Sequence, residues 1–225
     1  MQSVILAAGE GVRMRPLTLE RPKALVEVAG KPLLEHMLDA LPAAVDEVII
    51  VVKYKGDMIR DRFKSEFKGK KITYVEQTKG RGTGDALRLT APLLRRGERF
   101  FVSYADDLHD KASIEKMLSH PLALLTYRVA DPRQLGVVVT DASGRIIDIE
   151  EKPEYPKTDM AAIGVYLLDD RIFSYEADPH PSGEYYLTSM IQKMAKDHAI
   201  FAVPSAFWFT VTTPQDVAAA EKMLG

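Results

Sequence analysis

Cysteine and asparagine are both missing from this 225-residue chain, and glutamine occurs only five times. Without cysteine there is no disulfide framework, no thiolate nucleophile and no thiolate metal site. The loss of two thermolabile residue types fits a protein from a hot environment. Long apolar runs are missing too: none approaches the ~18 residues that a membrane span needs. The chain enters an apolar strand at once, with no basic leader, so a cytoplasmic location is the expectation. Charge of either sign is also not in excess. The 30 Lys and Arg against 32 Asp and Glu leave a formal charge of −2. That removes the bulk electrostatic reason to expect nucleic acid or an anionic membrane as partner. The five histidines form no H-E-x-x-H pattern. What is present is apolar: 46% of the residues are hydrophobic, enough for a sizeable core.

In the first half, short β-rich runs alternate with helical patterns. Residues 2–7, 47–52, 71–76 and 99–104 read as buried strands, and 32–41, 56–66 and 83–95 as helices between them. Continuous hydrophobicity in EVIIVV (47–52) indicates a strand covered on both faces, as in a parallel sheet. This alternation predicts an α/β fold, a Rossmann-like doubly wound and mostly parallel sheet. The second half changes character, with closely spaced strands at 122–129, 136–140 and 145–150 and a hairpin turn at DASG (141–144). A strand at 161–168 and helices near 184–196 and 214–223 follow. No repeat or Gly/Ser-rich linker interrupts the chain. One domain over 1–225 is expected, its halves meeting near residue 108 and the second of them carrying a smaller, β-rich subregion.

Directly after the first strand stands ILAAGEGVRMRPLTLERPKAL (5–25), in which two glycines precede a concentration of positive charge. A turn explains the glycines but not the charge. A dinucleotide fingerprint fails, because Gly9 and Gly11 are followed by Met14 where a third glycine is needed. A P-loop fails as well, since Gly30-Lys31 runs into Pro32. The remaining reading is a backbone nest at Gly9 and Gly11, with Arg13 and Lys23 as cations around a polyphosphate. Phosphoryl and nucleotidyl transfer need that arrangement, because their catalysis is mostly positioning and charge stabilisation.

Leu6 to Leu25, L-A-A-G-x-G-x-R-x-x-P-L-T-x-x-x-P-K-x-L, closely resembles the signature of the sugar-1-phosphate nucleotidylyltransferases. The likeness continues in VAGKPLLEH (28–36), QTKGRGTGDAL (77–87), EKP (151–153) and AIGVYLL (162–168). The resemblance implies a nucleoside triphosphate and a sugar 1-phosphate as partners, with an NDP-sugar and pyrophosphate as products. It implies that Ala8, Gly9 and Gly11 hold the triphosphate, that Arg13 and Lys23 offset its charge, and that Gln77, Gly82 and Thr83 meet the base. An amide suits the edge of uracil, thymine or guanine. Asp85, at the start of the following helix, equally suits the helix dipole, and Arg15 and Arg21 are read as structural.

By the same resemblance Asp106, in ADD (105–107), would bind Mg²⁺, with Asp107 and Asp110 as nearby acids. Glu151 would hold the sugar hydroxyls and Lys152 the 1-phosphate, with Gly136 and Gly164 letting strands approach the sugar. The chain departs from the pattern at WFTVTTP (208–214). The family places a metal-binding aspartate where Thr210 stands and a glycine where Thr212 stands, and a hydroxyl is a poor substitute for a carboxylate on Mg²⁺. Two alternatives therefore remain: a CTP-dependent cytidylyltransferase acting on phosphocholine or inositol phosphate, and a nucleotide-sugar-binding regulator without turnover. A homo-oligomer is compatible with either.

Overall fold

The computed structural model describes residues 1–224. Its centre is a parallel sheet, built from β1 (Gln2–Ala7) and its neighbours. The antiparallel pair β2 (Glu27–Val28) and β3 (Lys31–Pro32) leads into β4 (Glu47–Val52), and a short β5 (Glu66–Phe67) precedes β6 (Lys70–Glu76) and β7 (Phe100–Tyr104). Four of these lie parallel in the order β7-β1-β4-β6, with β5 antiparallel on the outer edge of β6. In β4, Val48, Ile50 and Val52 pack into one core cluster, while Ile49 and Val51 pack into another on the opposite face. A strand buried on both sides has no polar face, hence its unbroken apolar sequence.

Helices cover both faces. On one lie α2 (Leu33–Ala40), α3 (Gly56–Phe63) and, beyond the short β8 (Asp107–His109), α5 (Lys111–Lys116). On the other lies α4 (Thr83–Arg88), joined later by α6 (Leu187–Asp197). A four-residue α1 (Leu17–Glu20) lies in the opening loop. The helix expected over 83–95 is divided: α4 stops at Arg88 and a 3₁₀ turn, Ala91–Leu93, replaces its end. Pro92 has no N–H to continue the α-helical ladder, and the Thr90 hydroxyl donates to the Leu87 carbonyl instead.

Beyond β7 the sheet turns antiparallel, through β9 (Ala123–Arg128), β10 (Gly136–Thr140), β11 (Ile146–Glu151) and β12 (Met160–Leu168), and β13 (Phe201–Pro204) adds a parallel edge on β9. The long β12 is the junction. Val165–Leu168 pair with β7, Ala161 and Ala162 pair with β10, and β9 runs along the opposite edge. Register shifts between Ala162 and Tyr166, around Gly164 at φ +77°. A Cβ on Gly164 would lie 2.6 Å from the Tyr104 ring, so this bend requires glycine. The DASG turn joins β10 to β11 as expected, with the Asp141 carboxylate accepting from the Ser143 and Arg145 amides.

Finally β14 (Trp208–Thr210) pairs antiparallel with β8, and α7 (Pro214–Leu224) packs on β2 around Val26, Val28, Leu108 and Val211. Among the described residues no helix is long and apolar enough to cross a membrane.

Candidate active site

Two cavities open near the carboxyl ends of β1 and β7, the position at which open α/β sheets bind ligands. The first, about 360 Å³, is lined by Ala8, Gly9, Lys23, Gln77, Gly82, Thr83 and Asp106, together with Lys53 and Glu184. The second is lined by Arg13, Asp106, Asp107, Lys152, Gly164, Thr210 and Thr212, with Asp131 and Gln134. Tyr104 and Asp106 line both, so the two cavities meet at the end of β7.

At that junction Lys23, only 9% exposed, donates to Asp106 Oδ2 at 2.5 Å. Pro22 starts a 3₁₀ turn, Lys23–Leu25, that carries the lysine inward. Gly11, at φ +65°, makes room for it: a Cβ there would lie 2.9 Å from Lys23 Cβ. Gly11 thus opens space for the lysine and itself lines neither cavity, whereas a Cβ on Gly9 would face open space. Arg13 follows in a 3₁₀ turn, Val12–Met14, and is exposed on the side of the second cavity.

Gln77, directly after β6, is almost fully buried, and its amide nitrogen donates to the Gly82 carbonyl at 3.3 Å and to Asp85 at 3.5 Å. Gly82 adopts φ +100°, and a Cβ there would strike the Tyr185 carbonyl oxygen at 2.6 Å. The Thr83 hydroxyl accepts from the Leu187 amide at 2.9 Å. The segment before α6 therefore closes one wall of the first cavity.

At the end of β11, the Glu151 carboxylate accepts from the Thr188 hydroxyl at 2.7 Å, and burial raises its pKa from the ordinary carboxylate value. A Cβ on Gly136 would lie 2.9 Å from Thr188 Cγ2, so this glycine gives space to Thr188. Glu151 and Gly136 line neither cavity. Lys152 does line the second one, with its ammonium on the Tyr186 hydroxyl.

The three acids after β7 have three different environments. Asp106 carries the Lys23 ion pair. Asp107 is 6% exposed, and burial first, then the neighbouring Asp106 charge, push its carboxyl up to about 7. Thr210 faces it in register across β8 and β14, and the Trp208 indole N–H donates to it at 3.2 Å. Asp110 instead caps α5, accepting from the Ala112 and Ser113 amides. Thr212 and Thr213 close on Asp216 to cap α7. His109 has both ring nitrogens buried without a partner among the described residues, and burial pushes it down to about 4, so it is neutral near pH 7.

Within the described residues no three His, Asp or Glu side chains are placed to close around a metal ion. Asp106 and Asp107 are adjacent carboxylates on one cavity wall, and Thr210 adds a hydroxyl beside them. Hard oxygen donors of this kind, completed by ligand oxygens and water, suit Mg²⁺.

The nucleotidyl transferase family profile matches residues 2–224. The chain belongs to that family. Methanocaldococcus jannaschii bifunctional protein GlmU is 36% identical over 227 residues, covering the whole of this chain and 54% of that protein. The chain thus spans about half the length of the GlmU relatives it matches. Haloferax volcanii UTP–glucose-1-phosphate uridylyltransferase AglF is 31% identical, covering 100% of this chain and 96% of that protein. A Bacillus anthracis structure described as a glucose-1-phosphate thymidylyltransferase, in complex with a sucrose, superposes with a TM-score of 0.87 at 27% identity, covering 99% of this chain and 95% of the other. The α/β architecture read from the opening strand–helix alternation is therefore the family's own. Lys53, Glu184 and Asp131 carry no sequence signal that singles them out as cavity residues. They reach the walls from segments whose proximity only the sheet order creates.

Proposed function

We propose that the chain joins a nucleoside triphosphate to a sugar 1-phosphate, releasing pyrophosphate and an NDP-sugar. The observation that carries this reading is the Lys23–Asp106 pair, its lysine buried and its carboxylate on the walls of both cavities. Two substrates must meet there, and the groups that meet them are a cation and a carboxylate.

The first cavity takes the nucleotide. Backbone at Ala8 and Gly9 approaches the triphosphate, Gly11 admits the Lys23 side chain that offsets charge around the α-phosphorus, and Gln77, Gly82 and Thr83 face the base. The names of the relatives make UTP and dTTP the first donors to try. The second cavity takes the acceptor, with Lys152 on its phosphate and Arg13 on the charge that develops as pyrophosphate leaves. Glu151, Gly136 and Gly164 shape the sugar side. The acceptor's phosphate oxygen forms a bond to the α-phosphorus as the bond to the departing pyrophosphate breaks. A phosphomonoester is already ionised at neutral pH, so no general base is needed.

Asp106, with Asp107 and Thr210 beside it, would hold Mg²⁺. That ion would supply charge neutralisation on the phosphates. Residues 1–108 form the nucleotide half and 109–225 the acceptor half of one domain working in the cytoplasm. Glu184 is an exception, crossing from the acceptor half to the nucleotide cavity.

The test is pyrophosphate release with Mg²⁺ across the common nucleoside triphosphates and a panel of hexose 1-phosphates and phosphoalcohols. Release that depends on one hexose 1-phosphate is the expected result. Release only with CTP and a phosphoalcohol would replace the acceptor assignment. Thr210, where the family pattern has a carboxylate, favours the one competing reading, a binding protein without turnover. Tight nucleotide-sugar binding with silence across the panel would establish it.

A further inference from the structure

Lys152 has a partner that its motif does not announce. Its backbone is left-handed, at φ +47°, a conformation that is uncommon for residues other than glycine. Its Nζ donates to the Tyr186 hydroxyl at 2.6 Å and lies 4.4 Å from the centre of the same ring. Glu151, its neighbour in sequence, is 3.9 Å away and engaged with Thr188. Tyr186 is 9% exposed, and its hydroxyl donates in turn to Glu184.

The phenol is itself held on several sides. The His180 ring meets it edge-on at 5.2 Å. On either side in sequence, Tyr185 N–H donates to the Arg81 carbonyl at 2.6 Å and Leu187 N–H donates to the Thr83 hydroxyl at 2.9 Å. Gly84 N–H donates back to the Tyr185 carbonyl at 2.8 Å. Tyr186 is therefore fixed to the wall of the first cavity while it grips a lysine that lines the second.

We propose that Tyr186 is a positioning residue for the acceptor phosphate. A free lysine must lose the rotamer freedom of four bonds when it meets an anion. Here the hydroxyl and the ring face remove that freedom beforehand, and the acceptor's phosphate meets an ammonium already in place. This inference rests on the acceptor-binding role given to Lys152 above.

The experiment is a double-mutant cycle on the full chain with Tyr186→Phe and Lys152→Ala, read as steady-state constants for the donor and acceptor that the panel identifies. Phenylalanine keeps the ring face and removes only the hydroxyl. Expected for Tyr186→Phe are an acceptor KM raised about tenfold, an unchanged nucleotide KM and an unchanged melting temperature. In the Lys152→Ala background the same substitution should change acceptor KM by less than twofold. An equal effect in both backgrounds would show that Tyr186 acts independently of Lys152 and overturn the proposal. So would an unchanged acceptor KM, or a nucleotide KM raised alongside it. A wild-type chain that turns over no phosphorylated acceptor removes the parent reading and this role with it. That outcome is distinct from an active wild type that Tyr186→Phe leaves untouched.

Discussion

Replacing Asp107 by asparagine should stabilise this protein at pH 8 and leave it unchanged at pH 4. Asp107 is buried beside Asp106 and paired with no cation of its own, since Lys23 is bonded to Asp106. Burial raises its pKa from 3.8 to about 7. Between those values the folded chain retains a proton that the unfolded chain has lost, so stability falls as pH rises through this window and levels off above it. Three pH units correspond to a ceiling of ~4 kcal/mol. Asp106 shares the repulsion and relaxes with it, so the expected gain for Asp107→Asn is ~2 kcal/mol, or about 4–8 °C in Tm for a chain of this size. Asparagine keeps an oxygen to accept from the Trp208 indole, which separates the charge effect from loss of that hydrogen bond. The assay is thermal unfolding with EDTA at pH 4, 6 and 8. Equal stabilisation at pH 4 and pH 8 would refute the electrostatic reasoning, and destabilisation at pH 8 would show that ionised Asp107 is itself favourable in the fold.

Four other substitutions have defined outcomes. Lys23→Ala and Asp106→Ala should each lower kcat at least a hundredfold while the far-UV spectrum stays native; near-normal turnover in either would remove the pair from the reaction. Gly164→Ala should destabilise by ~2–4 kcal/mol, because it combines φ +77° with a Cβ 2.6 Å from the Tyr104 ring; denaturant unfolding measures it, and a loss under 0.5 kcal/mol would mean that β12 bends without help. Asp216→Ala should cost about 1 kcal/mol, since its carboxylate accepts from the Thr212 and Thr213 amides at the start of α7; turnover should be unchanged, and a loss of activity would place the α7 cap within the site.

The elements that could be read from sequence are those whose physics is local. EVIIVV announces a strand buried on both faces because nothing polar interrupts it, and DASG announces a turn because aspartate and glycine satisfy one within four residues. The second half of the chain is readable as strands but not as a sheet. The bend of β12 depends on Gly164 meeting Tyr104, some sixty positions earlier, and a lone glycine in an apolar run does not disclose what it avoids. The same limit explains Gly11 and Gly136. The sequence supports a reading of open backbone near a ligand, whereas the fold fills the space with Lys23 and Thr188.

Thr210 shows how long-range pairing changes the meaning of a single letter. In the sequence it is a missing carboxylate. In the fold it lies on the paired strand directly opposite Asp107, the carboxylate one residue after Asp106. An aspartate at 210 would set a second carboxylate in register with the buried Asp107, and the two charges would repel. The hydroxyl avoids that repulsion while keeping an oxygen on the cavity wall. Threonine at 210 and aspartate at 107 are thus one electrostatic unit, and a substitution at either position has to be judged with the other in place.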